Sequence, residues 1–194
     1  YARDVDGDDD TDVLSASKKD DKIAWYESDG ALNPSFTAHT ITTDADGAEG
    51  VYAADVDGDN DIDILSGSAR DDIAWYENDG ASDPGFTAHE ITTSGGSIQS
   101  VYAADLDGDG DTDFLSASFS DDKIAWYEND GASDPTFTAH TITTNAEGAS
   151  SVYVADVDGD SDTDVLSASS RDNKIAWYEN EGSGTFSGQK VITT

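Results

Sequence analysis

The chain contains no cysteine and no methionine, and only three of its 194 residues are proline. Without cysteine there are no disulfide staples and no thiolate chemistry, which leaves a bound metal as the available cross-link. Positive charge is also scarce. Nine Lys and Arg stand against 43 Asp and Glu, giving a net charge of −34. That balance excludes a binder of nucleic acid, whose phosphates would be repelled and would find no basic patch. It excludes an anionic membrane surface on the same ground. Runs of about 18 apolar residues, the length of a membrane-spanning helix, are missing, so no insertion into a bilayer is expected. Amphipathic helical periodicity is missing as well. No signal peptide is visible and the first residue is Tyr1, which aligns with Tyr52 inside a later repeat. The chain is expected to be a mature or excised piece of a longer precursor.

What is present is one unit written four times. The copies run Tyr1–Gly50, Val51–Ser100, Val101–Ser151 and Val152–Thr194 and form a single repeat domain over 1–194. Each holds four short strand-like runs. In the third copy they are Val101–Ala104, Asp113–Ser118, Lys123–Glu128 and Phe137–Thr144. All are β-branched or aromatic and bounded by Gly, Asn, Asp or Pro. Ile124 and Trp126 share one face of their strand, Ala125 and Tyr127 the other, so both faces are apolar. A sheet sandwiched between other sheets needs this, whereas a half-exposed sheet alternates apolar with polar. Four strands per roughly 50 residues, repeated, predict an all-β protein of propeller-type blades. Four blades allow a small ring, a part of a larger propeller, or a stacked assembly. The second copy is one residue shorter, in the stretch Arg70-Asp71-Asp72-Ile73 between its second and third strands.

Between the first and second strands lies the most distinctive stretch. In the third copy it reads Asp105-Leu106-Asp107-Gly108-Asp109-Gly110-Asp111-Thr112-Asp113. Carboxylates at every second residue repel one another unless a cation sits among them. The candidate metal residues are Asp4, Asp6, Asp8, Asp10 and Asp12 in the first copy, and Asp55, Asp57, Asp59, Asp61 and Asp63 in the second. They are Asp105, Asp107, Asp109, Asp111 and Asp113 in the third, and Asp156, Asp158, Asp160, Asp162 and Asp164 in the fourth. Hard oxygen donors in a flexible loop favour Ca²⁺ over Mg²⁺ and softer metals, about one ion per repeat and four in all. Positions 1, 3, 5 and 9 would offer side-chain oxygens and position 7 its carbonyl. Position 6 requires a positive φ; it holds Asp9, Asn60, Gly110 and Ser161, of which serine is the least suited. The loop is not an EF-hand, because position 12 is serine (Ser15, Ser66, Ser116, Ser167) and strands rather than helices flank it.

This loop, the Val/Ile/Phe-Leu-Ser strand after it, the tryptophan strand, and the stretch Asn180-Glu181-Gly182-Ser183-Gly184-Thr185-Phe186 resemble FG-GAP/VCBS repeats, the blades of integrin-α-type propellers and of many bacterial surface proteins. The resemblance covers essentially the whole chain. It implies β-propeller blades with Ca²⁺ in the hairpin loop between the first two strands. The chain departs from the family in number, since such propellers commonly have seven blades.

Four divalent cations would cancel eight of the 34 excess negative charges, and the remaining acid fits saline surroundings or simple solubility. Calcium loops and excess acid together point to an extracellular or cell-surface location. Trp25, Trp75, Trp126 and Trp177 suit core packing, with sugar stacking as the alternative. His39, His89 and His140 recur once in each of the first three copies, the fourth having Gln189 and Lys190 there, and are read as outer-strand residues rather than as one metal site. No nucleophile elbow and no single asymmetric constellation argues for an enzyme. The expected function is therefore a calcium-stabilised, non-enzymatic structural or adhesive module. Its partners would be other copies of itself or other surface proteins, with self-assembly into surface fibres as one outcome. A carbohydrate-binding, lectin-like propeller is the alternative.

Overall fold

The computed structural model describes residues 1–70 and 72–194. Asp71, part of the shortened stretch of the second copy, lies outside the described residues. Each copy forms one antiparallel sheet of four strands paired in chain order. The first blade holds β1 (Ala2–Arg3), β2 (Asp12–Ser17), β3 (Lys22–Ser28) and β4 (Phe36–Thr42). The second holds β5 (Ala48–Ala54), β6 (Asp63–Ser68), β7 (Ile73–Asn78) and β8 (Phe86–Thr92). The third holds β9 (Ile98–Ala104), β10 (Asp113–Ser118), β11 (Lys123–Asn129) and β12 (Phe137–Thr143). The fourth holds β13 (Ala149–Ala155), β14 (Asp164–Ser169), β15 (Lys174–Tyr178) and β16 (Lys190–Thr193).

The strand expected at Asp113–Ser118 is β10 with the same bounds. The strand before it starts three residues earlier than the apolar pattern suggests, at Ile98. A bulge between Ala117 and Ser118 lets Ile98 pair with Ser118 after the regular pairs have run out. A second bulge shifts the register between Ile124 and Ala125, and the same shift follows Ile23, Ile73 and Ile175 in the other blades. Such bulges raise the local twist.

Both faces of the inner blades are buried, as the paired apolar faces of β11 predict. One face of each blade, here called forward, packs on the opposite, rear face of the next. Val5, Leu14, Ile23 and Trp25 of the first blade meet Ala53, Ile64 and Tyr76 of the second. Val56, Leu65, Ile73 and Trp75 meet Val101, Phe114, Ala125 and Tyr127. Leu106, Leu115, Ile124 and Trp126 meet Val152, Val165, Ala176 and Tyr178. Three junctions thus join four blades in a row, and each is a separate apolar core. First strands lie beside one another, and their tyrosines form a ladder: Tyr1 to Tyr52 and Tyr52 to Tyr102 at 4.4 Å between ring centres, and Tyr102 to Tyr153 at 5.3 Å.

Candidate metal centres

The aspartate loop shapes itself. In the third blade Asp105 accepts from Gly108 N (2.7 Å) and Gly110 N (3.1 Å) through its two oxygens. Asp107 accepts from Asp109 N at 3.2 Å, and Asp109 from Asp111 N at 2.9 Å. Each short side chain closes a turn on the backbone two to five residues ahead, which curls the chain inward. Position 4 is a glycine at φ +75° to +84° in all four loops (Gly7, Gly58, Gly108, Gly159). Position 6 has the positive φ that its residues suggest, including Ser161 at +83°.

Position 9 ties the loop to the sheet. Asp113 is fully buried at the start of β10. It accepts from Leu106 N (2.8 Å) in the loop and from Asn129 N (2.9 Å) at the end of β11. Asp12, Asp63 and Asp164 make the same pair of bonds in their own blades. Burial pushes the Asp113 and Asp63 carboxyls up to about 7, further than the two N–H donors pull them down. Their nearest loop partners, Asp107 with Asp109 and Asp57 with Asp59, add to the rise. Asp6, Asp57 and Asp107 at position 3 are raised too, first by burial, with the charge of a neighbouring carboxylate adding to it. None of the ion pairs among the described residues reaches a loop aspartate.

Carboxylate oxygens converge once per blade. Asp55, Asp57 and Asp63, then Asp105, Asp107 and Asp113, then Asp156, Asp158 and Asp164 each bring three oxygens within 4.8 Å of one another. In the first blade the trio is Asp4, Asp6 and Asp8. A hard divalent cation fits this donor set, and burying a carboxylate without a counter-charge is otherwise costly. The loop positions expected from sequence therefore divide. Positions 1, 3 and 9 meet in three blades and positions 1, 3 and 5 in the first. At position 7, expected to offer its carbonyl, the side chain turns elsewhere. The carboxylates of Asp10, Asp61 and Asp111 rest against Gly30, Gly80 and Gly131 in the loop that joins the third and fourth strands. These glycines have φ near +65°, and a Cβ on any of them would overlap the aspartate. The position-12 serines turn inward instead of toward the loop; Ser15, Ser66 and Ser167 lie 3.3–3.4 Å from the hydroxyls of Tyr26, Tyr76 and Tyr178.

One residue of the site escaped the sequence reading. Asn129, beyond its bond to Asp113, donates from Nδ2 to Val56 O of the preceding blade's aspartate loop (2.9 Å) and to Thr112 O (3.0 Å). Asn78 reaches Val5 O and Asn180 reaches Leu106 O in the same way. The first three loops are thereby each latched to the blade that follows. The available signal was the first copy, which has Ser28 where the others have asparagine.

The tryptophan faces are covered. Trp25, Trp75 and Trp126 are buried and stacked by His39, His89 and His140 at 4.4–4.6 Å, each histidine also held by Glu27, Glu77 or Glu128. In the fourth blade Lys190 takes the same place, 4.2 Å over Trp177 and paired with Glu179. The histidines therefore stand on the outer strands, one in each of the first three blades, as expected.

A family model for the FG-GAP-like repeat matches residues 4–66, 55–116, 105–167 and 156–194, four overlapping spans each opening on an aspartate loop. The chain belongs to the FG-GAP-like repeat family. Each matched span runs from one aspartate loop to the serine strand that follows the next, except the last, which runs to Thr194. FG-GAP-like blades thus account for nearly the whole chain. No curated protein matches the sequence. Among solved structures, the chain is similar to the one described as the crystal structure of BBS1N in complex with ARL6DN, soaked with lead, with a TM-score of 0.64 and 13% identity. The match covers 99% of this chain and 55% of that one, so the FG-GAP-like blades span about half its length. At that identity the likeness is one of propeller-type fold. No helix of the described residues is long and apolar enough to cross a membrane.

Proposed function

We propose that this chain is a calcium-stabilised, non-enzymatic structural module that works outside the cell or on its surface. The observation that carries the reading is the buried position-9 aspartate, present in every blade and bonded to both the loop and the third strand. A cation held beside it fastens one end of the blade, and the Asn latch passes that order to the next blade. Four near-equal sites suit a set of staples, whereas a catalytic centre needs one asymmetric constellation. Loops that demand a free divalent ion suit surroundings where calcium is plentiful. A lectin-like role has less support, since the tryptophan faces a sugar would stack on carry histidine or lysine.

Calorimetric titration with Ca²⁺, paired with thermal melts in calcium and in EGTA, tests the proposal. We expect about four ions per chain and a large fall in melting temperature on chelation, because the loop carboxylates then repel without a counter-charge. A melt that EGTA leaves unchanged would refute it.

A further inference from the structure

The chain holds no sulfur, and its indoles are covered. Cysteine and methionine, the side chains that usually take up oxidants, are both missing. Trp25, Trp75 and Trp126 are buried, and Lys190 lies over Trp177. Phenols are left as the readily oxidised groups within reach. Tyr76, Tyr127 and Tyr178 sit inside the junction cores. The ladder on the first strands is different. Tyr52 of β5 and Tyr102 of β9 are half-buried, and their rings lie 4.4 Å apart with 40° between the planes. The hydroxyls of Tyr1 and Tyr102 flank that of Tyr52, so the phenol ends come together as well as the rings. Burial first, and then those hydroxyls, hold the Tyr52 phenol above its ordinary value, and it stays protonated at neutral pH. Tyr52 also lines an open cavity of about 320 Å³ beside Ala53 and Ala103, which gives an oxidant a way in.

We propose that Tyr52 and Tyr102 are a site of oxidative cross-linking, where a dityrosine ties the second blade covalently to the third. The oxidant is hydrogen peroxide, spent by a haem peroxidase in the surroundings. The peroxidase takes one hydrogen atom, an electron with a proton, from each phenol oxygen. The two phenoxyl radicals then join through the ring carbons next to their oxygens, forming one carbon–carbon bond. Each of those carbons releases its hydrogen as a proton, and each oxygen takes a proton back, which restores both aromatic rings. In sum the chain loses two hydrogen atoms and one hydrogen peroxide becomes two waters. Stacked rings keep the coupling carbons together, so the reaction within one chain outruns the meeting of two chains. The net charge of −34 also keeps radical-bearing chains apart. Tyr1 stands as near to Tyr52, but it is 44% exposed and lies ahead of β1, whereas β5 and β9 hold the other pair in place. The link also falls where a charged tie is missing. Lys18–Glu49 and Arg171–Asp122 span the first and third junctions, and among the described residues no ion pair spans the second. A covalent tie there restricts the unfolded chain as a disulfide would, in a sequence that has none.

The proposal goes beyond the calcium-held structural role and does not rest on it. Melts of unoxidised chain in calcium and in EGTA test that role separately, so either reading can fail alone. For the cross-link, dilute full chain in calcium is treated with a haem peroxidase and hydrogen peroxide, and single chains are isolated by size. They are expected to be lighter by two hydrogen atoms and to show the blue emission of dityrosine. Digestion should yield a peptide pair joined from Tyr52 to Tyr102, and the melting temperature should rise. Tyr1→Phe removes the other neighbour of Tyr52 and should leave all of these unchanged. Tyr102→Phe keeps the stacked ring but has no phenol hydrogen to give, so the joined pair and the rise in melting should both disappear. Single chains without the joined pair, under conditions in which free tyrosine is coupled, overturn the proposal. So does a link from Tyr52 to Tyr1 alone, so do links found only between chains, and so does a rise in melting that Tyr102→Phe retains.

Discussion

The side-chain amide of Asn129 reaches 2.9 Å across a blade junction to the main-chain carbonyl of Val56, inside the preceding aspartate loop. The same side chain accepts from Gly131 N and donates to Thr112 O, so a single residue serves two blades and three loops. It is 2% exposed.

Asn129→Ala is therefore expected to leave two carbonyls without their donor. An orphaned buried polar group costs about 1–3 kcal/mol, which for a chain of this length lowers the melting temperature by roughly 2–12 °C. Ser28→Ala, which lacks a blade to reach, should cost much less. Differential scanning calorimetry of the two variants in calcium checks the contrast, and equal losses would argue against the latch.

Calcium should remove a pH dependence that the metal-free fold carries. The unfolded chain ionises Asp63 and Asp113 near their ordinary value of 3.8, while burial holds both protonated in the metal-free fold up to about 7. Between those values the folded state binds more protons, so metal-free stability falls as pH rises and stays low above about 7. Calcium needs the ionised carboxylates, so its affinity climbs over the same window. Metal-free protein should melt higher at about pH 5 than at about pH 8, and calcium-saturated protein nearly alike at the two, because its carboxylates are ionised in both the folded and the unfolded chain. Melts at the two pH values with and without calcium read this directly.

Glycines at positive φ should differ in cost. Gly58 has φ +78° and open space where a Cβ would go, while Gly131, at +67°, would set its Cβ into the Asp111 carboxylate. Gly58→Ala is expected to cost only the left-handed backbone, about 1–2 kcal/mol. Gly131→Ala should cost more and displace Asp111. Adding Asp111→Ala to Gly131→Ala should recover part of that excess, and a double-mutant cycle by chemical denaturation measures it.

Periodicity and local chemistry made much of the fold legible before any coordinates. The bounds of β10, the apolar character of both faces of β11 and the positive φ at Ser161 all follow from short-range rules. The early start of β9 did not, because a bulge moves the pairing by one residue without a mark in the pattern. Asn129 and Gly131 read as turn residues from composition alone. Their packing against Val56 and Asp111 is tertiary, and such contacts between residues far apart in sequence leave no period to detect. The position-7 aspartates enter the loop pattern through their carbonyls, and the resting place of their side chains in the first three blades, against the glycine of the loop between the third and fourth strands, leaves no mark in the spacing.

Because the three junctions use the same residue types at the same positions, a blade needs to know only its immediate neighbour. Excising residues 101–151 would bring Val165 and Tyr178 to the face now occupied by Phe114 and Tyr127, with Asn180 placed to reach Val56 O. Unequal recombination between copies of such a gene can therefore lengthen or shorten the product by whole blades while every surviving contact keeps its form. Blade number becomes heritable variation that selection can act on without redesigning a single interface.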